Sequence, residues 1–181
     1  MPADSGAPQA IGRVRFRNAS ELAEAERHEH EARLRVAIDE AVRTGRAFSA
    51  AIFDRSGKLL SVGVNPGKHS HVLHSEIVAI QRAAEVLGER ELRECKLYVT
   101  GAPCPMCATA IVWSCIDLVV WGTSISALTQ MGFGQFGISC QDIAASAPST
   151  ADPMEMIEGV LADETDRLFL QAPTSTWRKT G

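Results

Sequence analysis

No apolar run among the 181 residues approaches the roughly 20 that a bilayer-spanning helix requires. The first residues also lack the hydrophobic stretch of a secretory signal. Nor is there a basic excess: 18 Lys and Arg stand against 22 Asp and Glu, a formal net charge of −4. That balance weighs against a large polyanionic partner, because nucleic-acid binders present a basic face. No internal repeat is visible. The five cysteines, at 95, 104, 107, 115 and 140, are an odd number without the spacing of a disulfide framework, so reduced thiols in the cytoplasm are the expectation. A 45% hydrophobic composition at this length is enough for one domain with a full core.

Along the chain, residues 1–17 mix Pro, Gly, Ala and Arg without a period and are expected to form a flexible leader. Asn18 followed three residues later by Glu21 resembles a capping box that opens a helix toward Thr44. Its buried stripe would be Leu34, Ala37, Ile38, Ala41 and Val42, and Gly45 would end it. His28 and His30, in the charged first half, read as a solvated face rather than a metal site. Phe48 to Phe53 and Leu59 to Val64 are apolar runs on either side of Asp54-Arg55-Ser56-Gly57-Lys58, a hairpin pattern. A polar loop with His69 and His71 leads to a helix that starts at His74-Ser75-Glu76, carries Ile77, Ile80, Ala84 and Leu87 at helical spacing, and stops at Gly88. Beyond it come a strand (Lys96 to Thr100), a helix from about Pro105, a strand (Asp117 to Gly122), a short helix (Ser124 to Met131) and a glycine-rich segment (Gly132 to Gly137). A small-residue linker (Ala144 to Pro153), a last strand (Met154 to Val160) and a last helix (Ala162 to Gln171) complete a domain over residues 18–171, with a tail over 172–181 in which Trp177 is placed to fold back over a site or a neighbouring subunit. Strands alternating with helices specify an α/β layered domain.

The chemistry concentrates in Thr100 to Trp113, reading TGAPCPMCATAIVW, and in His74-Ser75-Glu76. Pro103 and Pro105 bracket Cys104; proline is accepted at the first helical position and not in the interior, so the helix starts near Pro105. Cys104 and Cys107 then lie at the positive end of a helix macrodipole, which favours thiolate over thiol. With His74 they make a three-ligand N/S set suited to Zn²⁺ that leaves a fourth tetrahedral position open for water. Glu76, two residues after His74, is placed to take a proton from that water and hand it on.

H-x-E followed by P-C-x-x-C is the pattern of zinc nucleobase deaminases, and the chain resembles the cytidine deaminase-like superfamily. Within it the likeness is to the branch of guanine deaminases, fungal cytosine deaminases and bacterial tRNA adenosine deaminases. Ala47-Phe48-Ser49-Ala50-Ala51-Ile52 resembles the family's first core strand, and Val62-Gly63-Val64-Asn65 its second, ending in a substrate-contacting Asn. The resemblance implies a three-layer α/β/α sandwich with a mixed five-stranded sheet, commonly dimeric, with one zinc per chain. It also implies hydrolytic deamination of an amino-substituted heterocycle, most simply a free nucleobase or nucleoside. By resemblance His74, Cys104 and Cys107 ligate the metal and Glu76 shuttles protons. Asn65 and Phe48 contact the ring, and backbone N–H groups near Ser75 and Cys104 hold its substituents.

Two departures narrow the substrate. Ala102 stands where many relatives have Glu before Pro-Cys, and Gly132-Phe133-Gly134 lacks the Asp of the Gly-Phe-Asp segment with which guanine deaminases read the base; Gln135 is a neighbouring amide. A tRNA-specific adenosine deaminase is the alternative by core motif, although the acidic net charge and the Gly/Phe-rich insert suit a small ring better. A Cys-x-x-Cys dithiol of thioredoxin type, a structural zinc closed by Cys95, Cys115 or Cys140, and a non-catalytic zinc protein that only binds a base are the remaining readings. The first two have no need of Glu76.

Overall fold

The computed structural model describes residues 10–11, 14–66, 70–148 and 151–172. His69 and Trp177 lie outside them. One mixed sheet runs through the molecule in the order β1-β2-β7-β6-β5-β3-β4. Its strands are β1 (Ala10–Ile11), β2 (Val14–Asn18), β3 (Ser49–Phe53), β4 (Leu59–Val64), β5 (Lys96–Gly101), β6 (Leu118–Thr123) and β7 (Met154–Glu158). Strands β5, β6, β7 and β2 are parallel neighbours, while β3 is antiparallel to both β5 and β4. The expected five strands are β3 to β7; β1 and β2 extend the sheet at one edge.

Alternation along the central strands explains the layering. Ala50, Ile52, Leu97, Val99, Val119, Trp121 and Met156 face one side. Ala51, Phe53, Tyr98, Leu118, Val120 and Ile157 face the other. Every second residue on each face is apolar, so both faces must be covered. Helices α2 (Ser75–Leu87), α3 (Pro105–Trp113) and α5 (Cys140–Ala145) cover the first face. The second takes α1 (Glu24–Thr44) and α6 (Ala162–Gln171). A short α4 (Ile125–Gln130) leads into a third cluster, in which Leu128, Phe133 and Phe169 pack with Phe48. This is the α/β/α sandwich expected from the sequence. No helix among the described residues is long and apolar enough to cross a membrane.

Several local expectations change. The capping box at Asn18 and Glu21 forms, but it caps a 3-10 turn over Ala19–Glu21, and α1 begins only at Glu24. The folded part starts before Asn18: β2, whose first four residues Val14 to Arg17 the sequence places in the leader, pairs residue for residue with Met154–Glu158. Its Arg17 makes this possible, bonding Glu26 of α1 through both terminal guanidinium nitrogens (2.6 and 2.9 Å) and Glu155 at 3.1 Å, so a charged residue can sit in a parallel strand with its charge paired. Leu34, Ala37, Ile38 and Ala41 are buried as expected, whereas Val42, one helical step beyond Ala41, is 65% exposed. His28 is exposed, but His30 is buried, its Nδ1 3.0 Å from the Tyr98 hydroxyl. The first two residues of the expected linker, Ala144 and Ala145, close a helix the sequence did not announce, α5, whose N-terminus Ser139 and Asp142 cap reciprocally.

Candidate metal centre and acid–base site

Two helix starts converge at the end of the sheet where the chain leaves β5. Residue Gly101 ends that strand, and Ala102, buried, donates its N–H to the Thr123 carbonyl at 2.8 Å. That bond carries the chain past the end of β6 before Pro103-Cys104-Pro105 turns it into α3. Cys104 is the N-cap and Pro105 the first helical residue, as the proline spacing requires.

The second start is held by close approach. Gly63 of β4 lies so near α2 that an added Cβ would overlap the Ser75 carbonyl oxygen and stand 2.6 Å from Ala79 N. Ser61, on the same strand, donates its hydroxyl to the Ala79 carbonyl at 2.7 Å, and Arg82 reaches back to the Val62 carbonyl at 2.6 Å. Hydrogen bonds on both sides of a missing side chain hold α2 against the sheet. His74 is its N-cap and Glu76 lies in its first turn.

The two starts bring His74, Cys104 and Cys107 together. His74 Nδ1 is 3.5 Å from each sulfur, and all three donor atoms lie within 4.8 Å of one another. A tetrahedral Zn²⁺, with bonds of about 2.3 Å to sulfur and about 2.0 Å to nitrogen, separates S and N by roughly 3.5 Å, so the donor set fits zinc in both chemistry and spacing. Among the described residues the group has three members, and Cys95, Cys115 and Cys140 do not join it. A backbone hydrogen bond to His71 steadies the imidazole, the usual outer support of a metal-ligating histidine. His71 thus contributes through its backbone, and its side chain is exposed.

Glu76 is 4% exposed, with Ser75 Oγ donating to its Oε2 at 2.8 Å. Burial pushes its carboxyl above the usual range. The thiols split: Cys104 is held down to about 4, chiefly by its contact with Cys107 and then by His74. Cys107, beside Cys104 and Glu76 and more deeply buried, is pushed up. A dication bound here would draw both to thiolate.

Of the remaining residues expected from sequence, Ser75 is fully buried, with its hydroxyl committed to Glu76. Asn65 is half-buried just beyond β4. Phe48 is half-buried, edge-on to Phe169 at 4.8 Å and to Phe133 at 5.7 Å. Sequence reasoning missed Gly63 as the residue that seats α2 and Phe169 as the floor of the aromatic cluster. The Val-Gly-Val alternation inside an apolar strand was the available signal for Gly63, since a strand glycine marks close approach.

Residues 27–123 match the cytidine and deoxycytidylate deaminase zinc-binding region. The chain belongs to that family. It is 34% identical over 91 residues to a guanine deaminase of Bacillus subtilis, covering 49% of this chain and 58% of that one. It is 36% identical over 93 residues to a tRNA-specific adenosine deaminase of Aquifex aeolicus, covering 49% of this chain and 62% of the relative. The chain therefore spans less than two thirds of the length of these two relatives. The solved guanine deaminase of Nitrosomonas europaea shares the fold, with a TM-score of 0.65 at 23% identity over 82% of this chain and 85% of the other.

Proposed function

We propose that the chain is a zinc-dependent hydrolytic deaminase that releases ammonia from an amino-substituted heterocycle, a free nucleobase or nucleoside, and that it works in the cytoplasm as a homodimer. The observation that carries this reading is the buried Glu76 carboxyl beside a three-member His74, Cys104 and Cys107 group. A structural zinc would want a fourth protein ligand and no acid. A redox dithiol would want neither His74 nor Glu76. Relatives named guanine deaminase and tRNA-specific adenosine deaminase point to the same class of reaction.

His74, Cys104 and Cys107 would hold the ion, which supplies the Lewis acidity that makes water nucleophilic at neutral pH. Glu76 takes a proton from water as the oxygen adds to the amino-bearing ring carbon. It delivers protons to the ring nitrogen and then to the departing amine, so that C–NH₂ plus water becomes C=O plus ammonia. Burial suits it to the task, because a carboxyl lifted toward neutrality can both accept and donate. Ser75 orients that carboxyl. Asn65 hydrogen-bonds the heterocycle, and Phe48, braced by two other rings, gives it an apolar wall.

The test is ammonia release from a panel of purines, pyrimidines, pterins and triazines, with an anticodon stem-loop assayed in parallel for inosine. Glu76→Ala keeps its zinc and loses at least about 100-fold in rate. Release that survives the substitution removes Glu76 from the mechanism. Inosine in the stem-loop with no release from free rings moves the assignment to a tRNA-specific adenosine deaminase, the activity named for the Aquifex aeolicus relative.

A further inference from the structure

Among the described residues two buried side-chain polar atoms have no hydrogen-bond partner, and one of them is the indole nitrogen of Trp121. Trp121 lies on β6 and is 1% exposed. A buried N–H without an acceptor has given up its hydration for nothing in return, so a native fold that keeps one calls for a reason. The same residue lines a pocket of about 160 Å³ that is separate from the metal centre: His74, Glu76, Cys104 and Cys107 take no part in its wall.

Three parallel strands end together at this pocket. Trp121 of β6 is in register with Glu158 of β7, and Glu158 with Asn18 of β2. Met156 and Phe16, two residues earlier on their strands, share the apolar face of the indole and form the floor with it, while Gln141 of α5 supplies a wall. Crevices at the carboxyl ends of parallel strands are where open α/β sheets bind small ligands. Most of the surrounding polar groups are already engaged. Asn18 Oδ1 accepts from the Ser20 N–H, and Glu21 Oε1 from the Asn18 N–H. Arg17 is held by Glu26 and Glu155. What is left over is the Trp121 N–H, the amide NH₂ of Gln141, whose Oε1 accepts from Cys140 Sγ at 3.3 Å, and the carboxylate of Glu158, which no donor among the described residues engages. Two donors and one acceptor therefore stand uncommitted around an apolar floor.

We infer that this pocket is a second binding site, for a small planar heterocycle that presents a hydrogen-bond acceptor beside an N–H on one edge, as a lactam does. The ring acceptor takes the Trp121 and Gln141 N–H groups, the ring N–H donates to Glu158, and the ring face lies on Phe16 and Met156. At roughly 30 Å³ per water, 160 Å³ is the space of about five waters, enough for one six-membered ring and too little for a ring with its sugar. Burial of the indole nitrogen keeps bulk water from it, so the missing acceptor is one that fits the floor of the pocket. The site stands without the deaminase reading, since none of its groups acts on the metal or on Glu76.

The test uses the full zinc-loaded chain, labelled with nitrogen-15, and 2-pyridone as the probe, a planar six-membered lactam with no amino group to release. The Trp121 indole signal is assigned by elimination with Trp113→Phe and Trp177→Phe. Saturating 2-pyridone is expected to move that signal downfield, and N-methyl-2-pyridone, which lacks the N–H, to bind about tenfold more weakly. Glu158→Gln and Gln141→Ala should each weaken 2-pyridone by about tenfold with melting temperature unchanged, and Cys115→Ser should leave its affinity alone. If the Trp121 signal ignores 2-pyridone up to the solubility limit, or moves with an affinity that neither pocket variant changes, the second site is wrong. A shift at Trp121 that Glu76→Ala abolishes places the probe at the metal centre and overturns it equally. Ammonia release from the ring panel decides the deaminase reading separately, so the two can fail independently.

Discussion

Replacing Gly63 with alanine probes how the metal centre is assembled without touching a ligand. The new Cβ would overlap the Ser75 carbonyl oxygen and press on Ala79 N at 2.6 Å, where ordinary contact begins at 3.4 Å. Both neighbours are helix backbone and cannot rotate away, so the first turn of α2 must lift from β4 by about 1 Å. His74 lifts with it. Cys104 and Cys107, on α3, do not, and the two 3.5 Å sulfur–nitrogen separations open by more than the roughly 0.2 Å a zinc site tolerates. The expected result is a loss of at least about tenfold in zinc affinity, measured by competition with a chromophoric chelator. Overpacking adds about 1–3 kcal/mol of destabilisation, on the order of 5 °C in a chain of this size. Gly137→Ala, which meets open space, is the control and should match wild type in both. A Gly63→Ala protein with wild-type zinc affinity and wild-type melting would refute the idea that β4 seats the ligand-bearing helix.

Zinc removal and acid should each reveal a further feature of the same structure. Chelation should lower the melting temperature on the order of 10 °C, since an ion at a thousandfold excess over its Kd stabilises by about 4 kcal/mol; Cys104→Ser should remove the effect and Cys115→Ser should keep it, and a chelator-insensitive melt would remove zinc from the fold. His30 should make the protein acid-labile. Desolvation lowers its folded pKa from 6.5, against the opposing pull of Glu26 and Glu29 and with Lys96 and Arg33 adding to it, while the Tyr98 hydroxyl faces its Nδ1. A depressed histidine pKa means that the unfolded chain binds the proton first, so this contribution is complete above pH 6.5 and is lost as pH falls below it. The slope of melting temperature between pH 7 and 5 should flatten in His30→Gln, and an unchanged slope would place the acid sensitivity elsewhere.

The contrast between His74 and His30 shows what a sequence can and cannot carry. His74, Cys104 and Cys107 were legible because each has local punctuation: Pro105 fixes where α3 starts, with Cys104 on its N-cap and Cys107 in its first turn, and His74 leads the helical stretch that Gly88 ends. The hairpin and the last helix were legible for the same reason, through Gly57 and the apolar residues of Ala162–Gln171. What stayed hidden is non-local. His30 is buried because Tyr98, 68 positions on, needs a partner, and nothing in a charged helical stretch announces it. β2 looked like leader because its arginines become tolerable only when Glu26 and Glu155 close around Arg17. α5 was passed over because the residues it buries, Cys140 and Ala144, are too small to mark a stripe. The same division runs through the site itself. Which atoms could grip an ion is written within two short stretches, but whether they meet depends on Gly63 approaching a helix that begins twelve residues later. Ligand identity is therefore a weaker guide to a working centre than the small residues that let two helix starts come together, and a chain that kept His74, Cys104 and Cys107 but filled position 63 should retain the motif and hold the metal more weakly.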